Sequence, residues 1–414
     1  NVKLANPLAA LSYQMEGIDP HNLTMPPAPT FASEEIAGEM VELYWQALTR
    51  DVPFTHYGNE ALTTAAIADL QAFTRFATVN PGTLFRGDTP GDLVGPYLSQ
   101  FLYLPVPYGP MTIEQRYRVP VAGDDHMVDY LEWLAIQDGA DPEQGNQIET
   151  TPLYLRNGRD LGEWVHQDFT YQAYLNAALI LNSFGRSALD EGNPYKEMPN
   201  QSGFTTLGAP DLLSLVANIA CLSLKAAWAQ KWLFHRRLRP EVFAGRIHNH
   251  LTDAATYPIH DKLFAAQVLE EVAGRYDGYL LPQAYPEGSP THPSYPAGHA
   301  VIAGACTTIL KAFYDESFVL PNPQVAADDG LSLVAYRGHQ NLTVGGELNK
   351  LAANIALGRD AAGVHWRSDS IEGLFLGETV ALGVLADLAL TYVEEFPGFQ
   401  LTRFDGTTVT IHRE

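Results

Sequence analysis

Residues 210–240 read PDLLSLVANIACLSLKAAWAQKWLFHRRLRP. Leu213, Val216, Ala217, Ala220, Leu224 and Ala227 recur at three- and four-residue steps, the period of a helix with one apolar face. Pro210 suits the first turn, where the missing N–H has no intrahelical partner to lose. The apolar pattern ends in a basic run, so Lys231 falls near the C-terminal end of a long helix and Arg239-Pro240 just beyond it. One such helix needs others to cover its apolar face, and the expected fold is mostly α, in packed helical bundles with long loops.

Working outward, helices are expected near 260–275, from Pro296 through Ile302, Ile309 and Leu310, and near 347–361 and 369–395. A Pro-rich loop covers 276–296, and residues 405–412 suggest a small β-hairpin. Upstream, helices are expected near 60–76, 126–137 and 163–185, with Gly- and Pro-rich loops over 77–125. Ser33 reads as an N-cap followed by Glu34 and Glu35, and Ile36, Met40, Leu43, Tyr44 and Ala47 form an apolar stripe. Residues 1–32, with Met25-Pro-Pro-Ala-Pro, read as an extended arm over the surface or across a neighbour. Residues 33–414 read as a single all-α domain.

The chain has 414 residues, 46% hydrophobic, and a formal net charge of −23, with a sequence pI near 4.8. That apolar content can bury a large core. The acidity argues against nucleic acid or anionic membrane as partner. No apolar run reaches the roughly 18 residues that read as a membrane span, so none is expected. Asn1 does not look like a translation start, so a processed or trimmed N-terminus is expected, with a secreted or periplasmic location. Cys221 and Cys306 each lie in an apolar helical pattern and read as small buried thiols, with a disulfide left open.

In so acidic a chain a local basic run is telling. Lys231 and Arg239 bound it, while Arg236 and Arg237 read as structural or partner-facing. A second segment is Thr291-His292-Pro-Ser-Tyr-Pro296-Ala297-Gly298-His299 and a third is Gly358-Arg359-Asp-Ala-Ala-Gly-Val-His365-Trp-Arg-Ser-Asp369. Singly these read as a solvated helix end, a helix start with a surface histidine, and a surface His–Asp pair. Together they supply a Lys, two Arg, a Gly at a helix start and two His. That set suits a tetrahedral, highly charged oxyanion such as phosphate or vanadate. No His-Glu-x-x-His spacing, nucleotide-binding glycine loop or heme-attachment motif is present.

In this order the three segments resemble the vanadium-dependent haloperoxidases of the type 2 phosphatidic acid phosphatase superfamily, most closely the algal bromoperoxidase branch. Lys231 and Arg239 are eight apart, as in the algal enzymes, where the phosphatases usually have seven. His-Pro-Ser-Tyr-Pro at 292–296 and Gly-Val-His-Trp-Arg-Ser-Asp at 363–369 also look algal. The resemblance covers roughly residues 160–375 and is thin before that. One departure stands out: Ala297 replaces the family serine before Gly-His. Losing that charge-assisted hydrogen bond costs about 1.5–3 kcal/mol, so weakened or rearranged vanadate binding is expected, not its loss.

The resemblance implies two four-helix bundles and vanadate held by Lys231, Arg239, Arg359 and the Gly298 N–H, around position 297. It implies His365 as the one vanadium ligand, oriented by Asp369, and His299 as acid–base, supported by Asp168. Lys231 would also polarise the peroxide. Trp228 and His292 match residues beside the halide pocket, and a histidine at 292 favours bromide and iodide over chloride. The implied activity is oxidation of halide by hydrogen peroxide, with halogenation of a small organic substrate. Algal relatives assemble as oligomers, so a homo-oligomer is expected. Calcium sites of relatives lie after the Arg-Pro element, but residues 241–256 offer no convincing ligand set. Two other readings remain: an acid phosphatase using His365 as nucleophile, and a non-catalytic anion-binding member, motivated by Ala297.

Overall fold

The computed structural model describes residues 2–413. Its α-helices, in chain order, are α1 (Glu34–Leu48), α2 (Ala61–Leu70), α3 (Tyr130–Gln137), α4 (Gly158–Gln167), α5 (Gln172–Ser183) and α6 (Ala209–Ala229). There follow α7 (Pro240–Leu251), α8 (Asp261–Phe264), α9 (Val268–Tyr276), α10 (Gly298–Phe313), α11 (Val344–Ala361) and α12 (Arg367–Ala389). The β-structure among the described residues consists of small antiparallel hairpins, β1–β2 (Val106–Tyr108, Met111–Ile113), β3–β4 (Gln324–Ala326, Leu333–Ala335) and β5–β6 (Gly398–Thr402, Thr408–His412), with a few isolated bridges between loops. The fold is mostly α, as the period of residues 210–240 predicts.

Helices α6, α10, α11 and α12 pack as a four-helix bundle, with α10 buried along nearly its whole length. Two glycines allow α10 and α12 to touch backbone to backbone. A Cβ at Gly304 would lie 2.1 Å from the Leu374 carbonyl oxygen, and one at Gly377 only 2.0 Å from that of Val301. A second apolar core gathers around α1, with residues from α2, α7, α8 and α9. Ser33 caps α1 as expected, accepting from the Ile36 N–H. The stripe of α1 is buried, but so are Glu39 and Glu42 on its other face. They pair with Arg237 and Arg367, so the polar face of α1 is an internal charge platform, not a solvent face.

Several boundaries differ from expectation, each for a tertiary reason. The helix expected over 163–185 is two, α4 and α5. The break falls at Asp168, whose carboxylate is held by His299. The helix expected over 260–275 is also two, because Asp69 on α2 accepts from the Gln267 and Val268 N–H groups and caps a fresh start there. The helix expected over 60–76 ends at Leu70 and gives way to a 3-10 turn. Helix α7 is unanticipated; Arg239 occupies its N-cap and Pro240 its first turn. The C-terminal hairpin begins earlier than expected, with residues 403–407 as its turn. Cys221 is exposed and Cys306 buried, and both are free thiols, which corrects the reading of Cys221 as buried.

The helical run 209–251, by length and composition alone, could cross a membrane. Its apolar part is the bundle helix α6, more than half buried against α10, α12 and α5.

Candidate active site

Lys231 leaves α6 in an unusual turn. Residues Gln230–His235 form a π-helix that ends on Arg236 in the left-handed region, at φ 46°. A π turn takes up one residue more than an α turn, which absorbs the eight-residue spacing to Arg239. Lys231 is fully buried, and its Nζ donates to the carbonyls of Pro293 (2.7 Å) and Ser294 (2.9 Å). Burial, with Arg239 and Arg359 nearby, pushes its pKa well below the ordinary lysine range.

Arg239 stands at the start of α7 with its fork spread across three segments. Its Nη1 donates to the Val364 carbonyl (2.7 Å) and lies 2.9 Å from His365 Nε2. Its Nη2 lies 3.1 Å from His292 Nδ1, and its Nε donates to the His292 carbonyl. Burial pulls its pKa down to about 10. Arg359, near the end of α11, donates through Nη1 to the Val165 carbonyl (2.7 Å) and the Tyr285 hydroxyl (3.2 Å). Its Nε is buried without a partner.

His365 precedes α12 and is 2% exposed. Its Nδ1 lies 2.9 Å from Asp369 Oδ2. A carboxylate accepts only, so Nδ1 carries the proton and Nε2 presents its lone pair. Burial, and the charges of Arg239, Lys231 and Arg359, hold the ring neutral far below the ordinary histidine range. Asp369 is itself fixed by the Trp366 N–H, the Ser294 hydroxyl and Arg237. Arg237 bridges on to Glu39 of α1, which also receives the Ser368 N–H. This is the structural role expected of Arg237, while Arg236 is exposed.

His299 lies in the first turn of α10, its Nε2 2.9 Å from Asp168 Oδ1. Gly298 opens that helix and Ala297 is its N-cap, with no side-chain cap. His292 packs against Trp228 with ring centroids 4.9 Å apart. Its pKa is pushed far down by burial and by Lys231 and Arg239. A cavity of about 190 Å³ joins these groups, lined by Asp168, Trp228, His292, Gly298, His299, Arg359 and His365, with Thr170, Leu224, Pro290 and Ile302.

Of the site residues singled out in the sequence, Asp168, Trp228, His292, Gly298, His299, Arg359 and His365 line this cavity, while Lys231, Arg239, Ala297 and Asp369 stand behind that lining. Sequence reasoning missed Thr170, Ser294, Tyr285 and Glu39. Ser294 stood in a quoted motif, and its hydroxyl signalled a donor. Tyr285 and Glu39 come from distant segments without any local mark.

The donor set fits an oxyanion. Lys231, Arg239 and Arg359 are buried close together, the adjacent Asp369 is already engaged by Arg237, Ser294 and the Trp366 N–H, and Arg359 Nε lacks an acceptor. A bound anion would offset that charge and use that donor. Among the described residues, no cluster of three or more His, Cys, Asp and Glu side chains offers a cation site.

Residues 213–394 match a family model described as the VCPO second helical-bundle domain. The chain is 39% identical to a vanadium-dependent bromoperoxidase of Corallina officinalis, over 98% of this chain and 79% of the relative. It is 35% identical to one of Ascophyllum nodosum, over 100% of this chain and 78% of the relative. The solved homohexameric second vanadate-dependent bromoperoxidase from Ascophyllum nodosum superposes with a TM-score of 0.93 at 30% identity, covering 100% of this chain and 76% of that one.

Proposed function

The chain belongs to the vanadium-dependent bromoperoxidases, and we propose that its cavity binds vanadate and uses hydrogen peroxide to oxidise bromide or iodide. The observation that carries this reading is the buried cluster of Lys231, Arg239 and Arg359 around the cavity-lining His365, whose Nδ1 is held by Asp369 and whose Nε2 faces the Arg239 guanidinium. When bound, vanadate supplies a Lewis-acid centre at its highest oxidation state, at which peroxide is activated toward halide.

The protein's own groups then have distinct tasks. His365 offers Nε2 as the single protein ligand, because Asp369 keeps the proton on Nδ1. Lys231, Arg239, Arg359 and the Gly298 N–H offset the charge of the oxyanion. In its ammonium form, which a bound oxyanion would favour, Lys231 would carry a third N–H beyond its two carbonyl bonds to polarise a peroxide oxygen. Asp168 engages Nε2 of His299, leaving Nδ1 as the nitrogen that takes and returns a proton. Trp228 and His292 form the halide wall. A neutral His292 lets a soft, weakly hydrated halide approach without ion-pairing it firmly.

Asp168 also borders a larger cleft of about 640 Å³ containing Arg116, Trp164 and Gln172, and we place the small organic acceptor there. The structural relative is described as homohexameric. Leu8, Tyr13 and Met15 on the N-terminal arm are strongly exposed, which supports a homo-oligomer with the arm of residues 1–32 at a contact between copies. We propose residues 33–414 as one functional domain, and a secreted or periplasmic location.

The test is an assay of stripped protein. Bromination of a phenol dye by peroxide should appear on adding orthovanadate and be lost in His365→Ala at any vanadate level. Near-wild-type turnover in that variant would overturn the ligand assignment. Ester hydrolysis without vanadate, and no bromination, would mark a phosphatase instead.

A further inference from the structure

The wall formed by Trp228 and His292 is not held by the pocket alone. From inside, Arg239 grips the carbonyls of Pro290 and His292. From outside, the start of the N-terminal arm grips the residue between them. The Ala5 N–H donates to the Thr291 carbonyl at 3.2 Å, and the Thr291 hydroxyl donates to the Lys3 carbonyl. The Ala5 carbonyl in turn accepts from Trp228 Nε1 at 3.1 Å. Residues 3–5 therefore tie together the two segments that carry the wall. The next turn of the arm, Pro7–Leu11, packs against α6 and the π turn that carries Lys231.

This arrangement has a chemical consequence for Trp228. An indole has one donor, its N–H. With that donor on Ala5, the ring presents only its apolar body to the cavity and is fixed against His292. Freed from the arm, it could rotate or turn its N–H inward, and the 290–292 loop would be held from one side only.

We propose that residues Lys3–Ala5 are a positioning strap for the halide wall, so that the arm, remote in sequence from every motif of the site, sets halide affinity. The strap acts through Thr291 and Trp228 and touches none of the vanadate-binding groups. This inference rests on the reading of Trp228 and His292 as the halide wall.

The test combines Thr291→Val, which removes the hydroxyl bond to Lys3 at nearly constant shape, with Ala5→Pro, which removes the Ala5 N–H. A second variant lacks residues 1–6. Amide hydrogen exchange over residues 2–12 reports whether the arm is released, independently of activity. Thermal melting reports whether the bundle is intact. Loss of two ordinary hydrogen bonds should raise the KM for bromide by about three- to tenfold. kcat and the orthovanadate Kd of the stripped protein should stay within about twofold, because Lys3–Ala5 contact none of the groups holding vanadate, and Arg239 and Lys231 keep their own bonds to the 290–294 loop. His292→Ala serves as the control for the wall. If arm release leaves bromide KM unchanged while His292→Ala moves it, the wall stands and the strap is wrong. If neither change moves bromide KM, the wall reading fails and the strap falls with it. A parallel loss of orthovanadate affinity would show that the arm supports the whole pocket, and would equally overturn the proposal.

Discussion

His299 and His365 show how one residue type takes two roles through its neighbours. Both have one ring nitrogen on a carboxylate, Asp168 and Asp369 respectively. His365 is sealed among three cations and stays neutral, which suits a ligand. His299 is 28% exposed at its side chain and close to the cavity, which suits proton transfer. His299→Ala should therefore leave orthovanadate binding nearly intact and cut turnover by about 100-fold or more, the range of general acid–base effects. Binding titrations beside steady-state rates decide this, and equal losses in both would make His299 a ligand-like group. These two histidines were legible from the sequence because each sits in a short local motif. Tyr285 under Arg359 and Glu39 behind Arg237 were not, because their only signal is proximity in space.

Helix ends do much of the positioning in this fold, and they were the least legible part of it. Nothing in QKWLFH announces a π turn, since six residues cannot separate a period of 3.6 from a slightly longer one. The α4 and α9 boundaries depend on partners far away in the chain, His299 and Asp69. The start of α10 gives a prediction at this scale. Ala297 is its N-cap and offers no side-chain acceptor to the first-turn N–H groups. A serine hydroxyl there can accept from such an N–H while donating its own proton to an oxyanion. Ala297→Ser should thus raise thermal stability by about 0.5–2 kcal/mol, the worth of a cap. It should also tighten orthovanadate about tenfold if about 1.4 kcal/mol is recovered. Stabilisation without tighter binding would mean that the hydroxyl points away from the oxyanion. The end of α4 gives another. Burial lowers the pKa of His166, but hydrogen bonds to Glu163 and Glu287 outweigh it and push the ring up to about 9. A raised histidine pKa stabilises the fold fully below the ordinary 6.5, and that contribution is lost as pH climbs through about 9. The melting gap between the wild type and His166→Gln should accordingly be widest near pH 6 and close by about pH 10. A gap independent of pH would show that the ring acts through its stacking on Tyr285, at 3.9 Å, and not through charge.

The whole molecule sets a long-range field that opposes the local one. Its net charge is −23, while Lys231, Arg239 and Arg359 are buried together at the site, Arg359 in the cavity wall and the other two behind it. With an oxyanion in place, those three charges are largely offset close to the site. A bromide ion approaching from solvent then meets mainly the acidic exterior, while hydrogen peroxide, being neutral, meets no such barrier. Screening shortens the reach of that field from about 30 Å at 0.01 M salt to about 8 Å at 0.15 M. Rates steered by long-range charge follow this change. The kcat/KM for bromide should therefore rise several-fold over that range, with kcat/KM for peroxide flat. The added salt must exclude phosphate and sulfate, because tetrahedral oxyanions compete for the same donors. A bromide kcat/KM that falls with salt would mean that the cation cluster still dominates the approach, so that its charge is not offset by the bound oxyanion. That outcome would place the halide in direct contact with Arg239 or Arg359, in place of the uncharged wall of Trp228 and His292.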